Sequence, residues 1–163
     1  MNSGIFEEAY TLSNGIAIPK LGLGTWFIDD DKAAQAVRDA VSIGYRHIDT
    51  AQAYGNERGV GEGVQTCGLA REKLFITSKL AAETKTYDEA AAAIDESLRK
   101  MNMEYIDLML IHSPQPWNDF RGGDYAEGNR AAWRALEDAY KAGKLRSIGI
   151  SNFMREDIDN ILS

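Results

Sequence analysis

One cysteine (Cys67), three prolines and two histidines are all that this 163-residue chain holds of those types. A lone cysteine cannot form an intramolecular disulfide, so a reducing compartment is expected, with the cytoplasm as the default. Cys67 itself reads as a small residue at the end of a helix. Two histidines and one cysteine, none at ligand spacing, argue against a metal site. No apolar run is long enough to cross a bilayer. Met1–Glu8 shows no basic region followed by an apolar one, so no secretory leader is expected. A basic stripe is also missing. The formal net charge is −7 with both signs mixed along the chain, which speaks against nucleic acid and for a small ligand. What the chain does have is apolar matter. Hydrophobic residues make up 44%, enough for a sizeable core and too much for disorder.

The length suits one compact domain. The first element reads as a β-hairpin, with Tyr10–Ser13 and Ile16–Ile18 joined at Asn14-Gly15, a turn whose two positions would both need positive φ. Strand and helix then alternate. Leu21–Gly24 leads to a helix from about Asp31 to Ile43, opened by Asp29, Asp30 and Asp31 and closed at Gly44. Tyr45–Asp49 leads to a helix over Glu57–Thr66, and Leu74–Ser78 to one over Tyr87–Met101. Ala90, Ile94 and Leu98 lie four apart on that third helix. Ile106–Ile111 is an apolar strand before a helix over Asn129–Ala142. Ser147–Ile150 leads to a helix starting at Arg155. Five such units predict a parallel sheet, covered by helices, in an α/β fold. A doubly wound open sheet and part of a (β/α)8 barrel both remain open. Ser113–Gly128, with Trp117, Phe120 and Tyr125, is the one long irregular stretch, a length usually kept for function.

The polar residues fall where chemistry gathers. Asp49, Lys79, His112 and Ser151-Asn152 each end a predicted strand, and Tyr54 follows five residues after Asp49. The C-terminal rim of a parallel sheet is where active sites collect. A tyrosine hydroxyl holds its proton at neutral pH. A nearby ammonium (Lys79, held by Asp49) would make Tyr54 a better acid, and His112 could bond an incoming carbonyl oxygen. An oxygen surrounded by such donors is stabilised as it gains charge. The attacker at carbon would then be a hydride, which only a cofactor supplies. The alternative for Asp49 and Lys79 is a plain ion pair, and for Tyr54 a packed aromatic. His47 reads as a satisfied core histidine and Arg71-Glu72-Lys73 as a solvated face. Ser151-Asn152 could also cap the fifth helix.

At these residues the chain resembles the aldo-keto reductases. Gly44-Tyr45-Arg46-His47-Ile48-Asp49-Thr50-Ala51, with Tyr54-Gly55-Asn56-Glu57 and Val60-Gly61, resembles the family's first signature. The stretch from Leu98 through Asp107-Leu108-Met109-Leu110-Ile111-His112-Ser113-Pro114 resembles its second. Gly143-Lys144-Leu145-Arg146-Ser147-Ile148-Gly149-Ile150-Ser151-Asn152-Phe153 resembles its fifth-strand block. Within the family the chain looks most like the prokaryotic diketogluconate-reductase type.

The resemblance implies a (β/α)8 TIM barrel, with this chain covering roughly the first five βα units and the hairpin capping the barrel bottom. Residues 1–163 would be a single domain that stops short on its C-terminal side. It implies NADPH-dependent reduction of a small aldehyde or ketone: Tyr54 as acid, Lys79 and Asp49 lowering its pKa, and His112 orienting substrate. Ser151 and Asn152 would hold the nicotinamide carboxamide of NADP(H). Gly24, Thr25 and Trp26, with Asp49, would border the cofactor, while Trp26 and Trp117 would wall the substrate pocket. The full-length protein would be a monomer. Three departures are visible: the length, Ser113 where relatives carry tryptophan, and Ala81 where an aromatic is common. Two other functions stand beside this one, a non-catalytic NADP-binding protein on the same fold and an inactive half-barrel.

Overall fold

The computed structural model describes residues 4–163; Met1, Asn2 and Ser3 of the segment read for a leader lie outside them. A hairpin comes first, with β1 (Ala9–Thr11) and β2 (Ala17–Pro19) antiparallel and Tyr10 opposite Ile18. Its turn differs from the expected one. Only Gly15 has positive φ, at 86°. Gly15 N donates to Leu12 O at 2.9 Å, Leu12 N to Ile16 O at 2.8 Å, and the Asn14 side chain accepts from Ile16 N at 3.3 Å. Asn14 therefore works through its side chain, and the left-handed step falls on glycine alone, as in three-residue hairpin loops.

Five parallel strands follow: β3 (Gly22–Gly24), β4 (His47–Asp49), β5 (Phe75–Leu80), β6 (Leu108–Ile111) and β7 (Ile148–Ile150). They lie side by side in chain order. A doubly wound sheet reverses its strand order at a switch point; this sheet does not. Helices α1 (Asp30–Ile43), α2 (Glu57–Thr66), α3 (Tyr87–Met101), α4 (Ala126–Lys141) and α5 (Arg155–Leu162) connect and follow the strands, and each packs on the next. Right-handed crossovers with no reversal put all of them on one face. The barrel alternative is the one that fits.

The core lies between that helical layer and the sheet. Ile48, Ile76, Met109 and Ile111 from the strands meet Val37, Val60, Ile94 and Leu136 from the helices, all fully buried. Because strand side chains alternate, the opposite face carries Asp49, Thr77, Lys79, Leu108 and Leu110. β5 is buried on both sides, but Leu108 and Leu110 are only half-buried, so the second covering layer expected for parallel strands is incomplete here. α3 is capped by Thr86, whose side chain accepts from Glu89 N, and α2 approaches α3 through Gly61.

Three local readings are corrected. β5 runs to Leu80 rather than Ser78, because Lys79 and Leu80 pair with Leu110 and Ile111; Lys79 is thus inside the strand. α4 starts at Ala126, three residues before the expected Asn129. Arg71 is no free surface cation. Its guanidinium meets the buried Asp107 at 2.6 Å, and Arg146 meets the other oxygen at 3.2 Å. Asp107 also accepts from Ile76 N at 2.8 Å. That network ties the N-terminal ends of β5, β6 and β7, on the rim opposite the site.

Candidate active site

Strand register brings the first pair together. Asp49 is opposite Thr77, so Lys79 stands one pleat repeat further along the neighbouring strand and on the same face. From there its Nζ reaches back to Asp49 Oδ1 at 2.5 Å and to Thr50 O at 3.0 Å. The Lys79 side chain is 8% exposed and that of Asp49 33%. A nearly buried ammonium holding two acceptors has little freedom to point elsewhere. Lys79 Nζ lies 5.2 Å from the centre of the Tyr54 ring.

Tyr54 ends a single helical turn, Gln52–Tyr54, closed by Gly55 at φ 70°. Gln52 anchors that turn from below: its amide donates to Ala93 O at 2.9 Å and Ser97 Oγ at 2.8 Å, and accepts from Ala81 N at 2.9 Å. His112 follows the end of β6 and extends the ladder through its N–H to Leu80 O at 3.3 Å. Its ring stands edge-on to Tyr54, with centres 5.8 Å apart, and to Trp117 at 5.2 Å. Burial first, and then the Lys79 charge, push the His112 pKa below the usual imidazole range, so the ring is neutral at neutral pH. Its Nδ1 is buried without a hydrogen-bond partner among the described residues.

Trp26, Ala53, Tyr54, His112 and Trp117 enclose a cavity of about 490 Å³. No side chain in that lining is charged at neutral pH. A second cavity, about 620 Å³, lies between the hairpin and the β7 edge and includes none of these residues. Trp26 sits at the mouth, 65% exposed, stacked on Phe27 at 4.4 Å. Thr25 is buried, donating through both N and Oγ1 to Asp49 O at 3.0 Å. A Cβ at Gly24 would meet nothing within 4 Å, leaving open space beside Asp49.

Ser151 and Asn152 reach the same rim. Asn152 has φ 62° and donates to His112 O at 2.9 Å. Neither residue caps α5. That cap is Met154, whose N–H is taken by Asp157 at 2.8 Å. The loop after β6 is held at two further points. Lys85 Nζ donates to Ser113 O at 2.9 Å, and burial pushes that amine down to about 8. Arg121 pairs with Asp157 at 2.8 Å.

A family model described as the aldo/keto reductase family matches residues 20–163. This chain belongs to the aldo-keto reductase family. It is 41% identical over 157 residues to the glyoxal reductase of Bacillus subtilis (strain 168), covering 96% of this chain and 53% of that protein. Against the morphine 6-dehydrogenase of Pseudomonas putida the identity is 37% over 153 residues, covering 93% and 49%. Among solved structures, an aldo/keto reductase from Brucella melitensis superposes with a TM-score of 0.88 at 39% identity, covering 95% of this chain and 56% of that one. A Bombyx mori aldo-keto reductase in complex with NADP gives 0.81 at 37%, covering 95% and 53%. The chain spans about half the length of the curated relatives it matches, and its five strands and helices are part of a TIM barrel.

Within this aldo-keto reductase chain, Asp49, Tyr54, Lys79, His112, Trp26 and Trp117 come together around one cavity or its immediate support. Ser151 and Asn152 stand on the adjoining strand end, and Gly24 and Thr25 on the strand beyond Asp49. His47, read as a core residue, bonds Thr77 Oγ1 at 2.9 Å. Sequence reasoning passed over three supporting residues. Ala53 lines the cavity. Asn56 is fully buried, and Glu57, 3% exposed, accepts from Ser78 Oγ at 2.6 Å beside Lys79. Two polar residues opening an otherwise apolar helical face were the available signal.

Proposed function

We propose that this aldo-keto reductase chain carries the proton-donating side of an NADPH-dependent reduction of small aldehydes or ketones to alcohols. The observation that carries the reading is Lys79 Nζ, held by Asp49 at 2.5 Å and 5.2 Å from the Tyr54 ring, at the edge of a cavity shared with His112.

A carbonyl oxygen in that cavity lies between the Tyr54 hydroxyl and the His112 ring. Tyr54 gives its proton to the oxygen as the carbon is reduced. The Lys79 ammonium, aimed by Asp49 and Thr50 O, favours the phenolate left behind. Neutral His112 offers a ring N–H to the same oxygen and keeps the carbonyl turned toward Tyr54. Trp26 and Trp117 hold the organic group and exclude water.

The donor set suits a nicotinamide. Ser151 Oγ can donate and Asn152 Oδ1 can accept, the complement of a carboxamide. Asp49 Oδ2 takes no hydrogen bond from the described residues, and the space beside Gly24 lies next to it. Bound there, NADPH would supply the hydride that reaches the carbonyl carbon. These residues would hold and orient it.

The test is NADPH oxidation with 4-nitrobenzaldehyde, comparing the wild-type chain with Tyr54→Phe. Loss of a positioned general acid costs about 10²–10⁴ in rate, and a loss of that size is expected. Equal turnover in the two proteins would remove Tyr54 from the mechanism. Binding of NADPH with no turnover in either would favour a binding protein.

A further inference from the structure

The turn that carries Trp26 is tied to Asp49 O at its first residue, Thr25, and is clipped at both ends by a second side chain. Thr25–Ile28 closes through Ile28 N donating to Thr25 O at 3.0 Å. Its third residue, Phe27, has φ 63°, the left-handed conformation that this turn position normally gives to glycine. Phe27 is 84% exposed and stacks on Trp26. Among the described residues, no hydrogen bond fixes this strained turn from the solvent side. Asn56 does so from the buried side. Its Nδ2 donates to Thr25 O at 2.9 Å and to Ile28 O at 2.9 Å, clipping both ends of the turn. Its Oδ1 accepts from Thr50 Oγ1 at 2.7 Å, and the carbonyl of that same Thr50 accepts from Lys79 Nζ at 3.0 Å. One connected set of hydrogen bonds thus runs from the Lys79 amine to the backbone on either side of Trp26. The site needs two donors and one acceptor from a single side chain. A short amide meets that need; a carboxylate would aim oxygens at two carbonyls.

We infer that Asn56 is a positioning residue that sets the Trp26 wall of the cavity against the Lys79–Tyr54 pair, and so controls how tightly a carbonyl compound is held. The inference rests on the carbonyl-reducing reading of that cavity. Asn56 touches no substrate. It keeps Trp26 in place while Thr50 and Asp49 keep Lys79 in place, so its loss falls on binding rather than on proton transfer.

Asn56→Asp separates the two. It keeps the acceptor for Thr50 and removes both donors to the turn. In a background with Trp117→Phe and Trp133→Phe, Trp26 is the remaining tryptophan, and acrylamide quenching of its fluorescence reads the turn directly. The quenching constant is expected to rise about twofold as the turn opens. With the native tryptophans retained, KM for 4-nitrobenzaldehyde is expected to rise about tenfold while kcat stays within about twofold. Wild-type quenching and KM in a folded Asn56→Asp protein would overturn the inference, as would a fall in kcat at constant KM. Should Asn56→Asp not fold, Thr50→Val decides. It removes the bond that orients the amide, and unchanged Trp26 quenching there would equally overturn the proposal. Tyr54→Phe in the same assay keeps the two readings apart. Undiminished turnover in Tyr54→Phe sinks the carbonyl-reductase reading while quenching still reports on Asn56. Lost turnover there, with Asn56→Asp unchanged, sinks only the role of Asn56.

Discussion

His112 has two jobs open to an imidazole, giving a proton outright or offering a hydrogen bond while neutral, and its surroundings choose between them. Burial and the Lys79 charge both disfavour the imidazolium. On the proposed reading the protein works with neutral His112, and the acid making the transfer is Tyr54. The sign follows: activity that needs neutral His112 is present above its lowered pKa and is lost as pH falls through it. The acid limb of kcat/KM for aldehyde reduction should then fall below pH 6.5, the ordinary imidazole value, and should vanish in His112→Gln, leaving a lower, flatter profile. An acid limb above 6.5 would mean that a carboxylate partner raises the histidine, contrary to the geometry. The same neutrality was not legible in the sequence. Nothing in the string Leu110-Ile111-His112-Ser113 says that Lys79 from the adjacent strand lies close enough to act on the ring.

At the scale of elements, α2 can lie where it does because three of its residues have no side chain. A Cβ at Gly61 would sit 2.3 Å from Met101 O and 2.4 Å from Met101 Cα. That is backbone of α3, which cannot swing aside. Gly61→Ala must push α2 away from α3, and α2 begins immediately after the turn that carries Tyr54 and Gly55. Overpacking of this kind costs about 1–3 kcal/mol and can cost more. A fall in thermal midpoint is expected by calorimetry or circular dichroism, together with reduced turnover, since the Tyr54 turn moves with its helix. Unchanged stability would mean that α2 and α3 are not packed backbone to backbone. Gly61 belongs to the sequence signature, yet its reason appears only when two helices distant in sequence are seen to cross. The boundaries of α3 were readable: it was expected over Tyr87–Met101 from its periodicity and forms over those residues, where Thr86 caps its start and Asn102, at φ 50°, its end. α4 starts earlier than expected because Ala126, Glu127 and Gly128 carry no strong signal, while tertiary packing against the Lys85 backbone favours a helix there.

For the whole molecule, alternation of strand and helix was enough to give a parallel sheet, but not its winding. Strand order is a long-range property, and it is the uninterrupted β3-β4-β5-β6-β7 sequence that selects the barrel arrangement. The rim of polar strand ends was legible for a simple reason: an Asp, a Lys and a His standing next to apolar strand residues are conspicuous. Their support was not, because Thr50 O, Asn56 and Gln52 act through backbone carbonyls and buried amides that composition does not mark. The central claim concerns the coupling of two of those rim residues. In the proposed mechanism the positive charge of Lys79 acts by stabilising the phenolate of Tyr54, so its effect should exist only while the Tyr54 hydroxyl exists. A double-mutant cycle of Lys79→Met and Tyr54→Phe, read as kcat/KM for NADPH-dependent reduction of 4-nitrobenzaldehyde, measures this. The account predicts that each single variant loses most of the activity and that the double variant is no worse than Tyr54→Phe alone. Losses that multiply, with Lys79→Met still costing its full factor in the absence of the hydroxyl, would contradict it.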